Sequence, residues 1–220
     1  QPRRTLFCYP DENEEAEPEE DIPDYPVNLF ITRGGYFKKI TPQSLRMSSE
    51  HKFKDGDEMD ASFEATNRTE LLFFTDKCQV YKSRSSDFAD TKTSAMGEYV
   101  PVKLGFDADE NVISMIPTTD YTGFLFMVFE NGKAAKVPLS AFETKTNRKK
   151  LTKAFSDKSR LVKMFFIEDN ADIMITSDKG RAIIFNTALV LPKTTRDTIG
   201  VQVMTLKANA HADNACIVSP

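Results

Sequence analysis

The chain has 220 residues, of which 40% are hydrophobic, and a formal net charge of -4. This apolar content can build a packed core, and no run approaches the roughly 18 apolar residues that a membrane-spanning helix needs. Three widely spaced cysteines and two isolated histidines, His51 and His211, argue against a disulfide framework and a zinc site. We therefore expect a cytosolic protein without a metal. The start at Gln1 predicts a piece of a longer polypeptide.

The charges are unevenly distributed along the chain. Residues 1–24 contain nine acidic residues against Arg3 and Arg4, a net charge of -7, which leaves residues 25–220 at +3. The segment PDENEEAEPEEDIPD has almost no apolar side chains to bury, so it predicts a flexible acidic linker. The sequence thus predicts a linker region over 1–24 and a mildly basic folded domain over 25–220.

One pattern occurs four times in the folded domain: an apolar strand, a tight polar turn, a second strand and a short segment that ends in an apolar residue. The copies begin at Val27, Glu70, Gly123 and Ala171, and the aligned residues just before their turns, Thr32, Thr75, Phe129 and Ser177, recur at intervals of 43, 54 and 48 residues. This period is typical of propeller blades. The turns RGG, DKC, ENG and DKG predict β-hairpins, because glycine readily adopts the positive φ that such turns require. Cys78 is the exception.

Further strand candidates lie between the hairpins, at residues 58–65, 99–106, 111–118, 160–168, 200–207 and 215–219. They bring each repeat to about four strands. Helical periodicity is scarce, and residues 147–159 are predicted as a loop or a single turn. The runs LFFT and FLFMVF are interpreted as core strands rather than as a ligand pocket. The predicted fold is all-β, with about four propeller-like blades of four antiparallel strands.

Basic residues recur in and after successive hairpins. Because duplex DNA presents a regular array of phosphates, cations at equivalent positions on a rigid edge predict sequence-independent DNA binding. Lysines on edge strands also prevent aggregation by strand pairing, so only some of these residues are expected to contact DNA. The candidates are Arg33, Lys38, Lys39, Arg46, Lys77, Lys82, Arg84, Lys92, Lys133, Lys136, Lys145, Arg148, Lys149, Lys150, Lys179, Arg181, Lys193 and Arg196.

No catalytic residue is predicted. A histidine-containing triad cannot be assembled, and Gly34 and Gly35 do not belong to a GxxxxGK[ST] phosphate loop. Scattered carboxylates such as Asp107 and Asp109 leave an independent enzyme as the least favoured hypothesis. No cofactor is expected in this domain.

Four segments resemble one known family: GGYFKKITPQSLR (34–46), ELLFFTDKCQVYK (70–82), NGKAAKVPLSAF (131–142) and IGVQVMTLK (199–207). They are similar to blade signatures of the C-terminal domain shared by the A subunits of DNA gyrase and topoisomerase IV, and QPRRTLFCYP resembles the end of the region before it. The resemblance implies a β-pinwheel, in which neighbouring blades exchange strands and double-stranded DNA bends around a basic outer edge.

The resemblance also implies partners and a cellular location. The domain would act within a cytoplasmic, nucleoid-associated topoisomerase holoenzyme that uses ATP and Mg²⁺. Its partners there would be an ATPase B subunit together with the rest of the A subunit. The family's cleavage chemistry lies outside this domain, and none of its tyrosines is expected to be catalytic.

Two departures from the family bear on function. Gyrase A subunits carry a glutamine, arginine-pair, glycine-pair box after the first hairpin, and here that loop reads RMSSEHKFKDGDEM. Its absence favours topoisomerase IV, with a gyrase domain that wraps DNA for negative supercoiling as the alternative within the family. Only four blades are counted, which favours an open or C-shaped disc. A propeller that serves as a protein-interaction scaffold is the alternative outside the family.

Overall fold

The structure is a computed structural model that describes residues 22–48, 50–144 and 149–218. Within these residues the strands form four small antiparallel sheets, which confirms the predicted all-β fold. The strands are β1 (Pro26–Thr32), β2 (Tyr36–Ile40), β3 (Met59–Thr66), β4 (Glu70–Thr75), β5 (Gln79–Arg84), β6 (Glu98–Tyr99), β7 (Val112–Thr118), β8 (Phe124–Phe129), β9 (Lys133–Pro138), β10 (Lys150–Thr152), β11 (Leu161–Ile167), β12 (Asp172–Ser177), β13 (Ala182–Asn186), β14 (Val201–Gln202) and β15 (Ala212–Val218).

Short helical segments connect some of these strands. Two are α-helical, α1 (Pro42–Met47) and α2 (Val100–Lys103), and the others are 3₁₀ turns at Ser85–Asp87, Leu139–Phe142 and Thr187–Leu189. Thr41 caps α1 by accepting a hydrogen bond from the Ser44 amide through its hydroxyl. No helix in the described part of the chain is long and apolar enough to cross a membrane.

Each of the four repeats folds as an antiparallel hairpin: β1 with β2, β4 with β5, β8 with β9 and β12 with β13. In every hairpin one residue closes the turn by donating its amide to the carbonyl three residues earlier, and we call it the turn residue. The four turn residues, Gly35, Cys78, Gly132 and Gly180, all have a positive φ. Cys78, at φ 55, therefore adopts the conformation that glycine adopts in the other three turns.

A third strand lies beside the first strand of each hairpin: β3 beside β1, β7 beside β4, β11 beside β8 and β15 beside β12. The fourth strand of three sheets comes from the following repeat, so that β6 pairs with β2, β10 with β5 and β14 with β9. This exchange is the pinwheel arrangement. The fourth blade has the order β13-β12-β15, three strands among the described residues instead of the predicted four.

The hydrophobic core consists of three clusters, each between two successive blades. Along β4, Leu71 and Phe73 pack between the first and second blades, whereas Leu72 and Phe74 pack between the second and third. A strand that is buried on both faces does not need to alternate polar and apolar residues. This explains the uninterrupted apolar run in LFFT and confirms its prediction as a core strand. Among the described residues no such cluster joins the fourth blade to the first.

Three segments differ from their predicted local structure. The strand predicted over 99–106 is wrong beyond Tyr99, because α2 begins at Val100 and Pro101 favours the first turn of a helix. Residues 147–159 contain β10, where a loop was expected, and the strand predicted over 200–207 is reduced to two residues. These short strands form by pairing with the edge of the preceding blade, which local sequence does not encode.

The predicted acidic linker falls mostly on residues 1–21, outside the described residues. Ile22 and Pro23 are bound to the turn after β3: Asn67 Nδ2 donates to the Pro23 carbonyl at 2.9 Å, and Arg68 Nε donates to the Ile22 carbonyl at 2.8 Å. His51 lies against Phe30, with ring centroids 4.5 Å apart, and its Nδ1 is buried. The prediction of a surface side chain therefore holds for His211 but not for His51.

Candidate nucleic-acid interface

Lys39, Lys82 and Lys136 occupy equivalent positions on the first three hairpins, four residues after the turn residue. Each Nζ donates to an amide or hydroxyl oxygen at 2.6–3.1 Å and lies 4.6–5.8 Å from the centroid of an aromatic ring. The partners are Asn67 and Tyr25 for Lys39, Thr144 and Tyr121 for Lys82, and Asn170 and Phe124 for Lys136. These lysines connect a blade to neighbouring loops and strands.

Two of these lysines also have a carboxylate nearby. Lys39 Nζ lies 3.0 Å from Asp90 Oδ1, and Lys82 Nζ lies 3.8 Å from Glu70 Oε2. Part of the ammonium charge is therefore compensated within the protein, which leaves less of it to attract a DNA phosphate.

Lys38 is also buried, and its Nζ donates to the carbonyls of Lys52 at 2.6 Å and Thr93 at 3.1 Å. Burial lowers the pKa of Lys38, because few dipoles replace the water that would solvate the ammonium. Burial lowers the pKa of Lys82 and Lys136 in the same way. Lys38 and the three equivalent lysines, all predicted DNA contacts, thus have ammonium groups directed into the protein.

Three other candidates are at or near the surface and are compensated by carboxylates. Arg33 Nη1 lies 2.5 Å from Glu58 Oε1, and Lys150 Nζ lies 2.7 Å from Asp107 Oδ2. The Lys150 hydrogen bond lowers the pKa of Asp107, because it stabilises the ionised carboxylate. The third pair, Lys179 with Asp178, is longer at 4.0 Å.

Three more candidates donate to backbone carbonyls and have no carboxylate within 4.0 Å among the described residues. The pairs are Lys77 with Ala108 at 2.7 Å, Arg181 with Thr205 at 2.8 Å and Arg196 with Ala141 at 3.0 Å. Lys77 and Arg181 are exposed, and Arg196 is half-buried over the Phe142 ring. A phosphate could still reach the first two.

Six candidates form no side-chain hydrogen bond or ion pair with any described residue. We call them the free cations: Arg46, Arg84, Lys92, Lys133, Lys149 and Lys193. All are exposed except Lys133, which is half-buried. Arg84 and Lys149 lie close together, since the Lys149 carbonyl accepts the amide of Lys82, two residues before Arg84. Because their ammonium and guanidinium groups have no competing partner there, they are the candidates best able to bind phosphates.

Four of the six free cations, Arg46, Lys92, Lys149 and Lys193, lie one apiece in the four segments that follow the hairpins. We call these segments, residues 41–57, 85–97, 139–149 and 187–199, the post-hairpin loops, and each includes a short helical turn at or near its start. The second and fourth of these loops are held against the preceding blade by backbone hydrogen bonds. The Thr91 amide donates to the Lys39 carbonyl at 2.7 Å, and the Lys193 amide donates to the Lys136 carbonyl at 2.8 Å. The repeat therefore supports its cations at equivalent places.

Sequence reasoning missed Lys52 and Lys54 in the first post-hairpin loop. Both are exposed, and the Lys52 amide donates to the Thr93 carbonyl at 2.9 Å, next to the predicted Lys92. Their run, EHKFKDGDE, contains four acidic residues and only two lysines, so it did not stand out as basic. Two predicted residues, Lys145 and Arg148, lie outside the described residues.

Sheets with exchanged strands and cationic loops at repeated positions define this molecule as a β-pinwheel domain. A family model described as "DNA gyrase C-terminal domain, beta-propeller" matches residues 69–119 and 171–212, which include the second and fourth hairpins. These two segments belong to different blades, so the family model matches two copies of the repeat.

Curated relatives point the same way. The chain is 27% identical over 192 residues to the A subunit of DNA topoisomerase 4 from Staphylococcus aureus, covering 85% of this chain and 24% of that protein. It is 26% identical over 171 residues to the same subunit of Staphylococcus epidermidis, covering 76% of this chain and 21% of that protein. The chain thus spans less than a quarter of these relatives' length.

Solved structures support the fold. The C-terminal domain of DNA topoisomerase IV superposes with a TM-score of 0.78 at 22% identity, over 90% of this chain and 63% of that one. The C-terminal domain of E. coli ParC has a TM-score of 0.68 at 13% identity, over 88% and 79%. The predicted resemblance is confirmed: the chain is similar to the C-terminal domain of DNA gyrase and to A subunits of DNA topoisomerase 4, and it has the fold of their C-terminal domains.

Proposed function

We propose that this domain binds and bends duplex DNA as the accessory arm of a type IIA topoisomerase, and presents a DNA segment to the cleavage gate formed elsewhere in the holoenzyme. The observation that carries the proposal is the recurrence of exposed cations on the post-hairpin loops of one rigid fold. Contacts to phosphates alone position a duplex without reading its sequence, so binding is non-specific.

The cations must offset the energy of bending. Smooth bending of a 20–30 bp segment by 40–90° costs on the order of 1–6 kcal/mol. Each neutralised phosphate releases counterion, which makes binding favourable at low salt and steeply salt-dependent. If the six free cations each meet one phosphate, log K falls against log salt with a slope of about -5.4. The buried lysines contribute by holding the blades rigid rather than by touching DNA.

Within the family we propose activity of the topoisomerase IV kind, relaxation and decatenation, rather than negative supercoiling. The first post-hairpin loop lacks the gyrase box. Two hydrogen bonds hold this loop against the first hairpin: Lys38 Nζ donates to the Lys52 carbonyl at 2.6 Å, and the Gly34 amide donates to Asp57 Oδ1 at 2.8 Å. A loop fixed in this way is not free to latch a fully wrapped duplex. ATP and Mg²⁺ would act in the other parts of the holoenzyme, where the B subunit would be the ATPase.

A titration of the domain with duplexes of increasing length, at several salt concentrations, tests the proposal. Binding that strengthens with duplex length and weakens steeply with salt is expected. Plasmid relaxed in the presence of the domain should then show little change in linking number. A flat salt response or absence of duplex binding would reject the proposal and favour a protein-interaction scaffold.

A further inference from the structure

A buried lysine distinguishes the first hairpin from the other three. Lys38 lies three residues after the turn residue, and it is only 1% exposed. The later hairpins have aromatic or aliphatic side chains at the equivalent position, namely Tyr81, Ala135 and Ile183. Burial of an ammonium group costs free energy unless the group is paired or hydrogen-bonded. Lys38 Nζ forms no ion pair with any carboxylate of the described residues, so hydrogen bonds must hold this charge.

Both hydrogen bonds of Lys38 go to post-hairpin loops. Its Nζ donates to the Lys52 carbonyl at 2.6 Å in the first loop and to the Thr93 carbonyl at 3.1 Å in the second. The two loops also contact each other directly, since the Lys52 amide donates to the same Thr93 carbonyl at 2.9 Å. One buried ammonium group thus joins two loops that follow different hairpins.

Aromatic side chains of the first loop cover this junction. The centroid of the Phe53 ring lies 5.1 Å from Lys38 Nζ, and the His51 ring is stacked on Phe53 with centroids 6.1 Å apart. Both rings are half-buried, whereas Lys52, between them, and Lys54, after them, are exposed. Burial therefore alternates along the segment, which turns the aromatic rings toward the hairpin and the two lysines toward solvent.

The joined loops bring two exposed cations together. Lys92, one of the free cations, directly precedes Thr93, to which the Lys52 backbone is hydrogen-bonded. Lys52 likewise forms no side-chain hydrogen bond or ion pair with any described residue. Like charges on adjoining segments repel each other, so a fixed connection between the loops is needed to keep both lysines in place. The contacts of Lys38 supply that connection.

We propose that Lys38 is a positioning residue for DNA binding, which holds the first and second post-hairpin loops together so that Lys52 and Lys92 meet neighbouring phosphates of one duplex. This inference rests on the proposed DNA function. It adds Lys52, which the sequence did not predict, to the expected phosphate contacts, and it gives Lys38 a role at the interface without contact to DNA. Loops that are already fixed lose less conformational entropy when the duplex binds.

A double-mutant cycle in the full chain tests this role, with binding to a fixed-length duplex measured by fluorescence anisotropy at several salt concentrations. It combines Lys38→Met, which removes the ammonium group, with the pair Lys52→Gln and Lys92→Gln. In the native chain the pair should make the slope of log K against log salt about 1.8 shallower, because two phosphate contacts are lost. In the Lys38→Met chain the same pair should change the slope by less than about 0.9, because the separated loops no longer present both lysines to one duplex.

Lys136→Met is the matched control, because it removes another buried ammonium group, whose hydrogen bond goes to Asn170 outside the post-hairpin loops. In that chain the pair should keep its full effect. If Lys38→Met does not fold, as judged by circular dichroism, Phe53→Ala replaces it with the same expected result, because the covering ring is lost. Equal effects of the pair in the native and Lys38→Met chains, or no effect in the native chain, overturn this inference alone. A flat salt response of the native chain rejects the proposed DNA function as well.

Discussion

Neutralising two free cations should reduce the salt dependence of DNA binding by an amount that follows from the number of phosphates they neutralise. Arg84→Gln with Lys149→Gln removes two positive charges that have no protein partner among the described residues. If the six free cations each neutralise one phosphate, the slope of log K against log salt should change from about -5.4 to about -3.6. A doubling of salt would then weaken binding about 40-fold in the native chain and about 12-fold in the variant.

The matched control removes the same charge from two arginines that are already paired. Arg33 lies beside Glu58, and Arg160 Nη2 lies 3.1 Å from Glu130 Oε1. The double variant Arg33→Gln with Arg160→Gln should keep the native slope, since these residues do not release counterion from DNA. Affinity measured by anisotropy with a fixed-length duplex, at four or more salt concentrations, gives both slopes. Equal slopes for the two double variants would show that net charge, rather than the placement of free cations, controls binding.

Three further predictions test the structural roles of particular residues. Lys39→Met should lower the free energy of unfolding by about 1–3 kcal/mol in urea and leave the salt slope of DNA binding unchanged; a smaller slope would show that Lys39 contacts DNA. Gly132→Ala should destabilise the domain more than Gly56→Ala, although both sites have positive φ, because only the Cβ at Gly132 overlaps a carbonyl oxygen, that of Met204; equal melting temperatures would contradict this. Burial and the Lys38 charge lower the pKa of His51 below 6.5, so the unfolded chain binds this proton more readily and stability should fall with acidification below pH 6.5. His51→Gln should remove that contribution, at most about 1.4 kcal/mol per pH unit, and an unchanged pH profile of urea unfolding would count against it.

The repeated hairpins were accessible from sequence because their signals are local. Turn residues, strand length and spacing recur at each copy, and the run around Phe73 is apolar without interruption because the strand is buried on both faces. The covering strands, supplied to each blade by the following repeat, were accessible only in part: β14 lies within the strand predicted over 200–207 and β6 shares Tyr99 with the one predicted over 99–106, whereas β10 falls where a loop was predicted. They are two or three residues long, and their pairing energy comes from an edge located in another repeat.

The candidate interface was likewise predictable from the sequence only in part. Sequence showed that cations recur after each hairpin, but it could not separate Lys39 from Arg84, since both are basic residues on a second strand. Burial of the second strand brings Lys39 to Asn67 and Tyr25, whereas Arg84 lies at the strand's exposed end.

By itself, therefore, the sequence determined the repeat, the all-β class, the core strands and the family resemblance, all of which depend on residues near one another in the chain. Only the tertiary structure decided which lysines are buried, which cations remain free and which strand edge stays uncovered. Those properties depend on contacts between different repeats, and the free energy of such contacts is set by packing distance rather than by sequence distance.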